Sequence, residues 1–159
     1  LTFHLNIYQY MVLKIKKISN TSYEFNFKTL KPIKKISTKE FPGYPTDLQA
    51  QLIATQLKSA LKSKVVENIF ENRFIHIPEL RRFGANLSII GKTVTIHKTL
   101  NLFGAEVMAT DIRASFSLII AAMMSKGTTI INRIYHLDRG YEDFDLKLKK
   151  CGVNISRKK

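Results

Sequence analysis

The 159-residue sequence has one cysteine and no tryptophan, and its four histidines lie far apart along the chain. A single cysteine excludes an internal disulfide and the paired cysteines typical of zinc sites. Because the histidines show no close metal-ligand spacing, we interpret them as structural and predict no metal site. Cys151 lies at the end of the last predicted helix, where we expect it to pack in the core.

Long hydrophobic runs and a secretory leader are also missing. No apolar run reaches the roughly 18–20 residues that a membrane span requires. The opening segment, residues 1–17, carries its lysines after its apolar residues, in the reverse order to a secretory signal. These features predict a cytoplasmic protein without a membrane partner.

Acidic residues are scarce: the chain has 12 of them against 26 Lys and Arg, which gives a net charge of +14. Such a balance is compatible with nucleic acid or with anionic small molecules as partners. The lysines are scattered, however, and their densest clusters, Lys14–Lys17 and Lys31–Lys35, are short. Because the sequence shows neither a clustered basic face nor stacking aromatics, we predict a solvated basic surface and no nucleic-acid partner.

The pattern of apolar residues predicts an α/β fold. Residues 1–40 contain short alternating runs such as Tyr23–Phe27, and we predict a strand and loop segment that completes a preceding unit. A turn rich in Pro and Gly, Phe41–Pro45, follows. For the next unit, residues 41–100, the pattern predicts in order a helix, a strand, a helix and two strands: Leu48–Lys62, Lys64–Phe70, Pro78–Phe83, Leu87–Ile90 and Thr93–His97.

The same order of elements begins again about 64 residues later, in residues 101–159. Asp111 precedes a predicted helix, Ile112–Ser125, as Asp47 precedes the first one. The strand Thr128–Tyr135 and the helix Glu142–Lys150 continue the second unit. Because each unit buries little by itself, we predict that the two units share a core and together form one partial domain.

Two Thr-Asp pairs and three arginines are the candidate functional residues. A carboxylate at a helix N-terminus accepts backbone N–H bonds and faces the positive end of the helix dipole, so capping alone would explain Asp47 and Asp111. Arg113 follows Asp111 closely, and Arg73 and Arg139 follow equivalent strands. Arginine suits carboxylate and phosphate, and a nearby carboxylate can transfer a proton. The residues alone leave helix caps and an anion site as open alternatives.

Four longer motifs carry a resemblance to a known family. They are FPGYPTDLQAQ from Phe41, IFENRFIHIPELRRFGA from Ile69, LFGAEVMATDIRAS from Leu102 and RIYHLDRGYE from Arg133. By these motifs the chain resembles the enolpyruvyl transferase family, and specifically its cell-wall branch. The resemblance implies the family's inside-out α/β barrel of repeated βαβαββ units, with about two units present in a C-terminal fragment.

The resemblance also implies a reaction. The enolpyruvyl group of phosphoenolpyruvate would be transferred to the 3-hydroxyl of UDP-N-acetylglucosamine, with release of phosphate and without a metal or cofactor, as the first committed step toward peptidoglycan. Asp47 would contact the sugar nucleotide and accept the hydroxyl proton, and Ile69 would line the same ligand. The residues implied to surround phosphoenolpyruvate are Asp111, Arg113 and Arg139, with Arg73 in support.

The family's Lys-Asn pair and its reactive cysteine loop lie outside the four motifs, and Cys151 does not match that cysteine. The resemblance therefore implies the missing N-terminal part of the enzyme as a partner. We expect little activity from the chain alone, because catalysis requires the reacting groups to be held in one geometry. The alternative is a non-catalytic remnant of such an enzyme.

Overall fold

The computed structural model describes residues 13–27 and 32–158, and these form the mixed α/β fold that the sequence predicts. Strands β1 (Leu13–Lys17) and β2 (Tyr23–Phe27) pair in antiparallel fashion as a separate hairpin, which confirms the predicted run Tyr23–Phe27. Within the described ranges, no helix has the length and apolar character needed to cross a membrane.

After the hairpin, a four-stranded mixed sheet with two helices contains the elements of the predicted first unit, residues 41–100, together with a strand from residues 1–40, the segment that we predicted to complete a preceding unit. The strands lie in the order β3 (Lys35–Ser37), β4 (Ser63–Val66), β6 (Thr93–Ile96) and β5 (Leu87–Ile90), and in this sheet only the β3–β4 pair is parallel. A 3-10 turn at Thr46–Leu48 leads into the first helix. In chain order, the elements are β3, α1 (Gln49–Gln56), β4, α2 (Ile77–Arg82), β5 and β6.

The second unit begins in the same way, since β7 (Glu106–Met108) pairs in parallel with β8 (Ile130–Asn132) as β3 does with β4. Its elements are β7, α3 (Ile112–Met124), β8, α4 (Tyr135–Asp138) and α5 (Phe144–Lys150). Gly84 and Gly152 follow α2 and α5 with nearly equal positive φ angles of 84° and 87°. The same left-handed residue therefore ends the second main helix of each unit.

One hydrophobic core spans both units. Helix α1 packs against α3, and the buried cluster joins Leu52 and Ile53 of the first unit to Leu118 and Ala121 of the second. Burying a Leu or Ile side chain contributes roughly 1.5–3 kcal/mol. The facing positions of this helix pair come from different units, while Ile119 of α3 also packs against Leu137 and Phe144 of its own unit in a second, smaller cluster.

The first predicted helix is shorter than expected and is not amphipathic. Helix α1 ends at Gln56 rather than at Lys62, nearly all its residues are buried, and Leu61 is 62% exposed. The side-chain carbonyl of Gln56 accepts hydrogen bonds from the Ile33 N–H and the Ser63 hydroxyl, at 3.0 and 3.1 Å. These bonds tie the end of the helix to β4 and to the segment before β3, so the chain turns there.

Two predicted strands are also too long. The strand expected over Lys64–Phe70 ends at Val66, because the backbone N–H of Asn68 donates to the Thr38 hydroxyl and those of Ile69 and Phe70 donate to the Glu67 carboxylate. The strand expected over Thr128–Tyr135 is limited to β8, because Arg133 has a φ of 58° and helix α4 follows. A left-handed residue breaks the regular strand geometry.

The prediction that Cys151 packs in the core is wrong. Cys151 is exposed, directly after two lysines at the end of α5. Its backbone N–H bonds to the carbonyls of Lys147 and Leu148, so its place is fixed by the last helical turn rather than by its side chain. The chain then turns away at Gly152.

His76 is a buried histidine at the start of α2, with 1% exposure. Its Nε2 has no hydrogen-bond partner among the described residues. Burial lowers the pKa of His76 from 6.5 to about 4, against the opposing effect of the negative charge on Asp111. The neutral form of this side chain therefore belongs to the folded state.

We expect mild acid to destabilise the chain through His76. The unfolded chain binds a proton near pH 6.5, whereas the folded chain binds it only near pH 4, so the free energy of unfolding falls as the pH falls through this window. The complete loss is about 3 kcal/mol. In urea titrations, His76→Gln should remove this contribution and leave only the acid loss from carboxyl groups such as Glu67, whereas His97→Gln, at a partly exposed histidine bonded to Ser88, should keep it. Equal pH dependence in both variants would contradict this assignment.

Candidate functional site: a carboxylate between two arginines

The two Thr-Asp pairs lie at the N-terminal ends of α1 and α3, the helices that pack together at the centre of the fold. Asp111 is the N-cap of α3, with an extended backbone. Its Oδ1 accepts the backbone N–H groups of Arg113 and Ala114 at 2.8 and 2.9 Å. The capping interpretation is therefore confirmed for Asp111.

Asp47 has a different role, although its sequence context is the same. It lies inside the 3-10 turn that precedes α1, and its carboxylate accepts no backbone N–H from the residues that the structure describes. Its Oδ1 lies 2.7 Å from Nε of Arg113 and 3.2 Å from Nη2 of Arg73. The capping interpretation is wrong here, because Asp47 sits between two guanidinium groups, one from each unit.

Arg73 is supported from several sides. Its Nη1 donates to the Thr46 hydroxyl at 3.2 Å, its Nη2 donates to Asp47, and its guanidinium carbon lies 4.5 Å from the centre of the Phe70 ring. Its side chain is 21% exposed, whereas that of Arg113 is 48% exposed and has Asp47 as its ion-pair partner. Arg73 is the fixed arginine of the pair, and Arg113 is the more accessible one.

Arg139 lies outside this cluster. It is an exposed residue directly after α4, and no side-chain hydrogen bond or ion pair joins it to residues 13–27 or 32–158. The next residue, Gly140, lies against Ile112, because a Cβ on Gly140 would be 2.6 Å from Cγ2 of Ile112. The backbone that carries Arg139 therefore approaches the start of α3, which Asp111 caps.

Ile69 lies on the other side of the site, in the loop after β4. It is 36% exposed, and its backbone N–H donates to the Glu67 carboxylate at 2.9 Å. The next residue is Phe70, whose ring lies against Arg73. Ile69 is thus held beside the arginine without contacting the ion pairs.

The structure brings together three of the predicted site residues and places the others around them. Asp47, Arg73 and Arg113 meet directly, while Asp111 joins through the backbone N–H of Arg113. Their chemical roles stay predictions. Among the described residues, no group of three His, Cys, Asp or Glu side chains is arranged to hold a metal ion.

Sequence reasoning missed Glu67, which is 1% exposed and supports the loop of Ile69 and Phe70. The signal was available, because Glu67 follows two valines in a β-like run, where an acidic residue needs buried partners. The identity of those partners depends on the fold and is not readable from the run itself.

The family described as EPSP synthase (3-phosphoshikimate 1-carboxyvinyltransferase) matches residues 2–148. Among curated proteins, the chain is 56% identical over 122 residues to a UDP-N-acetylglucosamine 1-carboxyvinyltransferase of Rhodopseudomonas palustris (strain TIE-1). It is 50% identical over 143 residues to the protein of the same name from Pelagibacter ubique (strain HTCC1062). These alignments cover 77% and 89% of the chain but 28% and 34% of the relatives, so the chain spans about a third of their length.

Solved structures show the same fold. The enolpyruvyl transferase NikO from Streptomyces tendae superposes with a TM-score of 0.85 at 24% identity, over 98% of this chain and 36% of that one. EPSP synthase from Acinetobacter baumannii superposes with a TM-score of 0.72 at 14% identity, over 99% and 37%. The predicted enolpyruvyl transferase fold is confirmed.

We expect the two aspartates to differ in stability measurements on the chain. Asp111→Ala should lower the free energy of unfolding by about 1–2 kcal/mol, and Asp111→Ser, which also caps helices, should recover most of it. Asp47→Ala should cost less than about 1 kcal/mol, because its ion pairs are partly exposed. Urea denaturation at neutral pH measures all three. Equal losses for Ala and Ser at position 111 would be inconsistent with a cap.

Proposed function

We propose that the chain, which belongs to the EPSP synthase family, is the C-terminal part of an enolpyruvyl transferase acting on UDP-N-acetylglucosamine. Identities of 50–56% to proteins with that specificity in their names support this sugar nucleotide as the acceptor, rather than 3-phosphoshikimate. The observation that carries the proposal is the Asp47 carboxylate held between Arg73 and Arg113. An acid-base group beside two anion-binding groups suits transfer from a phosphorylated donor.

In the proposed reaction, the 3-hydroxyl oxygen of the sugar bonds to C2 of phosphoenolpyruvate, and Asp47 accepts the hydroxyl proton. The methylene carbon C3 gains a proton from an acid in the N-terminal part of the enzyme. In the elimination, the conjugate base of that acid takes a proton back from C3 and the C2–O bond to phosphate breaks, so that phosphate leaves with the electron pair. Arg113 and Arg139 would stabilise the negative charge that moves during these steps.

The ion pair between Asp47 and Arg113 suits a site in which a bound anion replaces the Asp47 carboxylate as the partner of Arg113. The two side chains are 55% and 48% exposed, and pairs of this kind contribute only about 0–1 kcal/mol. A phosphate or carboxylate that arrives at the site can therefore compete for Arg113 at low cost. Asp47 then keeps one arginine partner, Arg73, when the hydroxyl proton reaches it.

The remaining predicted residues fit around this pair. Arg139 has an exposed side chain on backbone that approaches the start of α3, and we assign it to phosphoenolpyruvate together with Asp111. Ile69 is exposed beside Arg73, and we assign it to the sugar nucleotide. The proposed setting is the cytoplasm, in the first committed step of peptidoglycan synthesis for cell-wall growth and division. A reducing compartment suits a chain whose one cysteine is free and exposed.

The partner in this proposal is the N-terminal part of the same kind of enzyme. The chain spans about a third of the length of its curated relatives, and the shared N-terminal part would supply the other wall of the cleft. Catalysis depends on holding both walls in one geometry, so the chain alone should be inactive or nearly so.

The test is phosphate release from phosphoenolpyruvate and UDP-N-acetylglucosamine, with the chain alone and mixed with a separately produced N-terminal part. We expect release only in the mixture and a loss of at least about 100-fold with Asp47→Asn, since general acid-base catalysis typically contributes 10²–10⁴-fold. Asp143→Asn, at an aspartate that heads α5 without a capping bond, is the matched control and should keep full activity. No release from any mixture of folded proteins would instead favour a non-catalytic remnant.

A further inference from the structure

Glu67 is a fully buried carboxylate whose two oxygen atoms are both occupied. Oε1 accepts the Thr38 hydroxyl at 2.8 Å and the backbone N–H groups of Ile69 and Phe70 at 2.9 and 3.2 Å. Oε2 accepts the Thr46 hydroxyl at 2.7 Å. Burial by itself would raise the pKa of Glu67, but the four hydrogen bonds outweigh it and hold the pKa below its ordinary value. The side chain is therefore ionised at neutral pH.

The ionised carboxylate fixes the direction of the Thr46 hydroxyl. A hydroxyl group has one proton to donate and two lone pairs to accept with. Since the Thr46 proton points to Glu67 Oε2, the oxygen presents its lone pairs to Nη1 of Arg73, 3.2 Å away. Glu67 thus determines that Thr46 accepts from Arg73 rather than donating elsewhere.

Glu67 also fixes the aromatic support of Arg73. The backbone N–H of Phe70 donates to Oε1, which holds the loop after β4 in a tight turn around the carboxylate. The Phe70 ring then lies 4.5 Å from the guanidinium carbon of Arg73. Two separate routes, one polar and one aromatic, lead from Glu67 to the same guanidinium group.

We propose that Glu67 is a positioning residue, which acts through the Thr46 hydroxyl and the Phe70 ring to aim the Arg73 guanidinium at Asp47. Glu67 itself is 1% exposed and touches neither Asp47 nor Arg113. The positioning rests on the contacts described above. Its consequence for catalysis rests on the proposed function, in which Asp47 accepts a proton.

The direct test follows the guanidinium N–H signals of Arg73 by NMR in the chain itself, assigned with Arg73→Lys. Thr46→Val keeps the shape of the side chain but removes the hydroxyl that links Glu67 to Arg73. Exchange of the Arg73 N–H protons with water should therefore become about tenfold faster. Thr46→Ser keeps the hydroxyl and should restore slow exchange. Glu67→Gln should accelerate exchange as Thr46→Val does.

Two controls separate the positioning of Arg73 from a general increase in N–H exchange caused by destabilisation of the whole chain. Thr55→Val removes a hydroxyl that bonds to the Leu52 carbonyl within α1, and it should leave the Arg73 signals unchanged. Arg157 is held by Asp138 and Asp145 far along the chain, so its signals serve as an internal reference in every variant. Unchanged Arg73 exchange in Thr46→Val would overturn the proposal, as would equal acceleration at Arg157. Unchanged Arg73 exchange in folded Glu67→Gln would overturn it too, and if that variant does not fold, Glu67→Asp, which keeps the charge but shortens the side chain by one methylene, should accelerate exchange in its place.

A kinetic measurement in the mixture with the N-terminal part tests the catalytic consequence. Thr46→Val should lower kcat about tenfold with little change in the KM for phosphoenolpyruvate, and Thr46→Ser should restore kcat. An active mixture with unchanged kcat in Thr46→Val would overturn the catalytic consequence. A mixture without activity would count against the proposed function, while the NMR result would still decide the positioning of Arg73.

Discussion

The packing of α1 against α3 is the contact on which the rest of the structure depends. Each helix is preceded by a Thr-Asp pair, and the two helices belong to different units. Because their buried faces meet in one core, the N-terminal ends of both helices come together at one edge of the fold. The ion pair between Asp47 of the first unit and Arg113 of the second follows from that arrangement.

The two Thr-Asp pairs have the same sequence but different contacts. Asp111 has an extended backbone and satisfies the free N–H groups of α3, which makes it part of the helix. Asp47 lies two residues after Pro45, the N-cap of its 3-10 turn, and its carboxylate contacts arginine side chains instead. Glu67 contributes to this difference. Its buried carboxylate accepts a hydrogen bond from the hydroxyl of Thr46, the residue before Asp47, and the same hydroxyl accepts one from Arg73. A helix cap and a carboxylate bound by two arginines can therefore arise from the same short motif.

Much of this was predictable from sequence, and the limits have physical causes. The helix Ile112–Met124 and the strands β5 and β6 agree with the sequence prediction to within a residue, because a capping aspartate and a Gly turn mark their ends locally. The predicted ends of α1 and β4 were wrong, because Gln56 and Glu67 terminate these elements through side-chain hydrogen bonds to distant segments. The different roles of Asp47 and Asp111 were likewise unpredictable from spacing, since only the fold brings Arg73 and Arg113 to one of them.

The coupling between Asp47 and Arg113 is the most direct measure of a site built jointly by the two units. A double-mutant cycle with Asp47→Asn and Arg113→Gln, followed by urea denaturation of the chain at low salt, gives this coupling free energy without any assay of activity. We expect a favourable coupling of about 0.5–1 kcal/mol that decreases toward zero in about 1 M salt, because the pair is partly exposed. Additive effects at low salt would show that the two charges do not interact, and would contradict the joint site.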